Sequence, residues 1–207
     1  MEFSIISLIL SIIAFLVAIT IHEFAHAWTA NYLGDNTAKH EGRITLNPIT
    51  HFDPIGSSMI LIGLVLQAFG ISATLFGWGK PVPVNPGRFK NPRMGWALVS
   101  FAGPLSNLAL ALVFSLVVKM TGNLTFANIL EPFIILNVVL AVFNLIPIPP
   151  LDGSKILYAF LPESIDIHQL ETAGPFILLF LIFTGTLHTI IWPVISVTMG
   201  LFGIGTI

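Results

Sequence analysis

The stretch VAITIHEFAHAWTANYL, residues 17–33, sets two histidines and a glutamate into a run otherwise apolar enough for the interior of a lipid bilayer. An ionisable side chain in hydrocarbon costs a few kcal/mol or more, so it persists where it is paired or functional. The apolar run begins at Phe3 and closes at Gly34, a helix C-terminal stop. A bilayer core takes about 20 helical residues to cross, so this segment is long enough to cross and protrude. Its front carries Glu2 and no basic residue, and no small-residue cleavage site interrupts it. It reads as a retained first helix and not as a signal peptide.

The rest of the chain matches that membrane character. Of 207 residues, 55% are hydrophobic and 9% charged, against about 25% charged in an average soluble domain. Mean hydropathy is +0.93. The length suits a single membrane bundle, residues 1–207, with no separate soluble domain. A net charge of −2 gives no reason to expect nucleic acid as a partner, and with no cysteine any metal must be held by His, Asp or Glu.

A polar stretch, GDNTAKHEGRITLNPITHFDPIG (34–56), has the Gly, Pro and β-branched content of short strands and turns. A second apolar run covers 55–73. In LFGWGKPVPVNPGRFKNPRMG (75–95), Pro81, Pro83, Pro86 and Pro92 exclude a continuous helix, and the alternation predicts an extended hairpin. Segment three spans about 94–120 and segment four about 127–145. Pro147, Pro149 and Pro150 then force an extended path, after which Asp152 is placed to cap a short helix over 153–160. The last tract, 173–207, splits around 185–189 and again at Pro193, giving two helices, the first short. The expected fold is an all-α polytopic bundle of five to six transmembrane or re-entrant segments with a small membrane-associated β-hairpin or sheet.

Basic residues collect in cytoplasmic loops. Lys39 and Arg43 follow segment one, and Lys80, Arg88, Lys90 and Arg93 precede segment three, so both loops are expected on the cytoplasmic side. The 55–73 run then cannot be a simple crossing. It is expected to dip in and return, which non-helical backbone can do only when shielded by protein or beside water.

His22, Glu23 and His26 form H-E-x-x-H on a helix. At 3.6 residues per turn, positions 22 and 26 lie one above the other, so both imidazoles can reach one ion. Zinc suits them, because it takes nitrogen and oxygen ligands tetrahedrally. Glu23, offset by about 100° on the helical wheel, falls beside the water the metal activates, in position for a general base. A catalytic zinc commonly takes a third protein ligand. Asp35, His40, Glu41, His51, Asp53, Asp152, His168 and His188 are the polar candidates. If 55–73 does not cross, segments three and four return the chain to the side where segment one ends, and Asp152 arrives at the face of His22 and His26. A plain helix cap is the competing reading of Asp152.

HEFAH in the first helix, FAGPLSN in a middle helix and NLIPIPPLDG after a later one together resemble the site-2 protease family of intramembrane zinc metalloproteases. GRITLNP, HFDPIG and GWGKPVPVNP resemble its compact prokaryotic branch, which lacks PDZ and CBS domains. The resemblance runs from Val17 to about Leu161. It implies one Zn²⁺ held by His22, His26 and Asp152, with Glu23 activating water. It also implies a place near the active site for Asn107, positioning substrate or the oxyanion, while the residue by itself reads equally as an interhelical hydrogen bond. Asn144 and the prolines after it either end a helix or border the cleft. His51 and Asp53 read as turn formers.

The function so implied is hydrolysis of a peptide bond within or near a transmembrane helix of a membrane-protein substrate, in the lipid bilayer of a prokaryotic cell, near the cytoplasmic face. Such a substrate must become extended, and strands around 43–48 and 77–84 would offer it an edge. A metal-ion transporter or metal-binding membrane protein is the alternative, although repeated polar residues on several helices and internal symmetry, expected of many transporters, are missing.

Overall fold

Lipid offers the backbone no hydrogen-bond partners, so long apolar runs satisfy their own amides as helices. The computed structural model describes residues 5–71, 77–162, 165 and 167–203. The extreme ends of the expected first and last segments, residues 72–76 and the side chain of His168 lie outside the described residues. Among the described residues eight α-helices follow in order: α1 (Ile5–Tyr32), α2 (Thr37–His40), α3 (Gly56–Ala68), α4 (Pro92–Thr121), α5 (Leu124–Asn144), α6 (Asp152–Tyr158), α7 (Ile167–Phe183) and α8 (Thr186–Leu201). Helices α1, α4 and α5 are each long and apolar enough to cross a membrane, and α7 with α8 makes a fourth span if the bent pair counts as one. The chain is an integral membrane protein by these helices.

Glycine stops and asparagine caps fix the ends of the long helices. Gly34, at φ 105°, takes the chain out of α1, with the Asp35 amide bonded back to the Ala30 carbonyl. Asn91 caps α4 through the Met94 amide with Pro92 in the first turn, and Gly122, left-handed at φ 56°, ends it. Asn123 then caps α5 through the Thr125 amide.

Two pairs of contacts give the relative directions. His26 meets Val99, and eight residues earlier on α1 and eight later on α4 Ala18 meets Asn107, so α4 runs antiparallel to α1. Asn107 meets Asn137, and Ala111 packs with Ile134 in a cluster completed by Val138, Ile195 and Met199, so α5 runs back antiparallel to α4. The end of α1, the start of α4 and the end of α5 therefore share one side of the bundle. Helix α3 lies between the first two of these. Its 13 residues make about 20 Å of helix, short of the roughly 30 Å apolar core, and its Leu64 packs on Phe15 and Ile19 of α1.

The expected β-hairpin or sheet is not formed: among the described residues there is no strand. Residues 48–51 form a 3-10 turn begun by Asn47 and Pro48, and 77–85 run as an extended strap. Pro81 and Pro83 contribute no N–H to a ladder. The strap's polar groups are instead met by individual partners. Ser57 Oγ donates to the Trp78 carbonyl at 3.2 Å, Arg43 Nη2 to the Lys80 carbonyl at 2.5 Å, and the Lys80 amide to the His51 carbonyl at 2.9 Å.

The last tract also departs from expectation. It breaks once, at Gly185 with φ 73°, where α7 and α8 bend by 81°. The two are of similar length, and Pro193 lies inside α8. A proline within a helix deletes one backbone bond, a loss that membrane bundles accommodate through neighbouring groups. Pro104, Pro132 and Pro175 sit inside α4, α5 and α7 in the same manner.

Candidate metal centre

The spacing of four residues stacks His22 and His26 on one face of α1, with rings edge to face and centroids 4.5 Å apart. Their Nε2 atoms are 3.0 Å from each other. Oδ2 of Asp152 lies 3.2 Å from each of them. One ligand atom from each of the three residues falls within 4.8 Å of the others, a group that could hold a metal ion. Asp152 is not the cap of α6: that position belongs to Leu151, which makes no side-chain cap bond, so Asp152 opens the helix and turns its carboxylate to the histidines.

The other ring nitrogens determine which atoms face that point. His26 Nδ1 lies 2.7 Å from the Val99 carbonyl, and an oxygen of this kind only accepts, so Nδ1 carries the proton. His22 Nδ1 lies 2.6 Å from Asn107 Oδ1, again an acceptor. Both Nε2 lone pairs then converge with a carboxylate oxygen, three acceptors that repel unless a cation lies among them. Two imidazoles and a carboxylate form a donor set zinc accepts, and bonds of about 2.0 to 2.1 Å in a tetrahedron put ligand atoms about 3.3 Å apart. The residues fit the ion.

Two glycines let the backbones approach. A Cβ on Gly103 of α4 would collide with His26 Nε2 and stand 2.7 Å from His22 Cε1. A Cβ on Gly153 would collide with the Leu145 carbonyl and meet the Ile146 carbonyl at 2.5 Å. Lys155 donates to the carbonyls of Pro150 and Leu151, tying down the loop that delivers Asp152. Burial lowers its pKa below the usual lysine value, against the pull of Asp152, Glu171 and Glu23.

Beside the three residues opens a cavity of about 350 Å³ between α1, α3, the strap, α5 and the loop before α6. Its polar lining side chains are His22, Glu23, Asn144 and Asp152; the remainder are apolar, aromatic or glycine, among them Phe15, Ile60, Trp78 and Phe143. Glu23 is buried at this wall. Asn144 lines the cavity while donating Nδ2 to the Leu140 carbonyl at 2.9 Å. Asn107 is elsewhere: fully buried between helices, it bonds His22, Ala18 and Asn137.

Among the described residues, the other candidates for a third ligand stand outside this group. Asp35 is buried among Thr37, Asn85 and Arg88. Asp53 accepts from the amides of Ile55 and Gly56 at the start of α3. His51 is buried and donates Nε2–H to the Thr45 carbonyl. His40 and Glu41 are exposed, and His188 stacks on Trp192. The sequence reading missed Gly103 and Asn137 beside the centre; an asparagine in the apolar run of segment four was the signal available for the latter.

The fold and centre define a class: a membrane-embedded helical protein with a His-His-Asp group that could hold a metal ion at an apolar cavity. Residues 119–185 match the family described as Peptidase family M50. The chain is 41% identical over 197 residues to "Putative zinc metalloprotease YwhC" of Bacillus subtilis, covering 89% of this chain and 85% of that one. It is 31% identical to Rip2 of Mycobacterium tuberculosis H37Rv, over 84% of this chain and 65% of that one. It is 30% identical to Rip2 of Mycolicibacterium smegmatis, over 70% and 54%; both Rip2 proteins carry the same zinc metalloprotease description. No solved structure matches. The chain belongs to peptidase family M50, the site-2 protease family of zinc metalloproteases.

Proposed function

We propose that this chain is an intramembrane zinc endopeptidase whose helices form one catalytic domain, cutting a membrane-protein substrate within or near a transmembrane helix. The observation that carries the proposal is the meeting of His22, His26 and Asp152 at a cavity that Glu23 also lines. His22, His26 and Asp152 are the ligands of one zinc. When bound, zinc supplies Lewis acidity that polarises a scissile carbonyl and acidifies water. Glu23 takes the water's proton and delivers it to the leaving amine, an acid–base role worth about 10²- to 10⁴-fold. Asn144 binds the substrate backbone or the developing oxyanion; its place on the cavity wall supports that role. The apolar lining favours an apolar substrate segment, extended at the scissile bond.

Seven of the eight Lys and Arg residues lie at the end where α1 finishes, the exception being Lys119 at the far end of α4. That end is assigned to the cytoplasm by the distribution of basic residues. His26 lies six residues before the end of α1, about 9 Å along the axis, which supports chemistry near the cytoplasmic face. The test is cleavage by the purified protein in lipid vesicles of a panel of single-span membrane proteins. Glu23→Gln is expected to keep its zinc and lose cleavage by at least about 10²-fold. Undiminished cleavage by that variant would remove Glu23 from the mechanism.

A further inference from the structure

Nothing in the chemistry just proposed uses Asn137, yet this residue is fully buried at the crossing of the three long helices. Its Nδ2 donates to the Phe133 carbonyl one turn back at 2.8 Å, which leaves Oδ1 facing Asn107. Asn107 Nδ2 donates to that oxygen at 2.8 Å and to the Ala18 carbonyl at 3.0 Å. Reversing the Asn107 amide would set its oxygen against two acceptors with no proton between them. The amide therefore has one orientation, with Oδ1 on His22 Nδ1 at 2.6 Å.

We infer that Asn137 and Asn107 form a relay of positioning residues that locks His22 in the tautomer with its proton on Nδ1, leaving Nε2 free for the metal. The direction of the relay is set by backbone: the Phe133 carbonyl fixes Asn137, and Asn137 with the Ala18 carbonyl fixes Asn107. Neither asparagine is among the residues lining the cavity, so each acts through His22 and neither touches substrate. His26 needs no such chain, because the Val99 carbonyl fixes its Nδ1 directly. The two ligands of α1 are thus oriented by different means, and only His22 depends on α5. Partners that orient a metal-bound imidazole commonly contribute about 10- to 100-fold in metal affinity.

The inference rests on His22 being a zinc ligand but not on the protein being a protease, and metal affinity is its readout. Zinc dissociation constants are measured by chelator competition on the detergent-solubilised full chain, together with the visible spectrum of the cobalt-loaded form. Asn137→Leu, close in volume but without polar atoms, is expected to weaken zinc about 10- to 100-fold and alter the cobalt spectrum, with cleavage recovering as zinc is raised. Asn137→Asp keeps the acceptor that faces Asn107 and is expected to hold zinc more tightly than Asn137→Leu. Parent-like affinity and spectrum in a folded Asn137→Leu would overturn the relay, whatever the cleavage activity. If Asn137→Leu does not fold, ¹⁵N histidine spectra of the zinc-loaded parent decide: a proton on His22 Nδ1 and metal on Nε2 are expected, and metal on Nδ1 overturns the inference. Loss of cleavage with zinc binding intact would instead count against the proposed function and leave the relay standing.

Discussion

Alanine at position 103 would add a methyl group where His26 Nε2 and His22 Cε1 already stand. Neither ring can retreat freely, because each is held from behind, by Asn107 and by the Val99 carbonyl. Gly103→Ala is therefore expected to displace the ligands, and displacements of about 1 Å near reacting groups cost about 10²-fold in rate. Cleavage rate and zinc content, measured together, check it; a fully active, zinc-replete variant would show that the helices can part at that point. At this scale H-E-x-x-H was legible, because the spacing of four follows from the helical repeat. Asp152 was legible as a candidate and less so as a ligand, since an aspartate before a short helix is also a common cap. Only the carboxylate's direction separates the two readings. Asn137 could not be ranked from sequence, because a polar residue in an apolar helix announces a partner without naming it.

Among the elements, the long helices were legible because α1, α4 and α5 combine apolar runs with stops at Gly34, Gly122 and Asn144–Leu145. The strap was not. Alternating residues and turn formers resemble a hairpin, but a ladder draws on the amides of alternate residues along one edge, and Pro81 and Pro83, two apart, take donors from the same edge. Asp35 anchors the far end of that strap. Its carboxylate accepts from the Asn85 amide at 2.6 Å and from the amide and hydroxyl of Thr37, with Arg88 Nε at 3.8 Å. Burial alone would raise its pKa; the hydrogen bonds and Arg88 outweigh it and hold the carboxyl below its ordinary value of 3.8. A folded-state pKa below the unfolded one means that the stabilisation is complete above 3.8 and is lost as pH falls through the folded value. Asp35→Asn turns an amide toward the Asn85 N–H or the Thr37 donors and is expected to cost about 2 kcal/mol near neutral pH. The difference in thermal stability between parent and variant should stay level down to about pH 5 and close at lower pH. A difference that persists unchanged at pH 3 would place the cause outside this carboxylate.

For the whole molecule, the decisive feature is that two remote segments end on one side of the bundle. Antiparallel packing of α1, α4 and α5 brings Asp152 to His22 and His26 because α3 does not carry the chain across between α1 and α4. The charge distribution along the sequence anticipated this parity, since Lys39, Arg43, Lys80 and the arginines after it needed one common side. The apolar character of 55–73 taken alone argued for a span, and its short helix, about 20 Å by rise per residue, removes that reading of length. The direct test of a zinc site formed by His22, His26 and the remote Asp152 and operated by Glu23 is one reconstitution with metal analysis. The parent is expected to hold one zinc per chain and to cut a single-span substrate inside its membrane segment. Glu23→Gln should hold the same zinc and leave the substrate whole, while Asp152→Asn should lose both zinc and cleavage. Full zinc occupancy with undiminished cleavage in Asp152→Asn would refute the site.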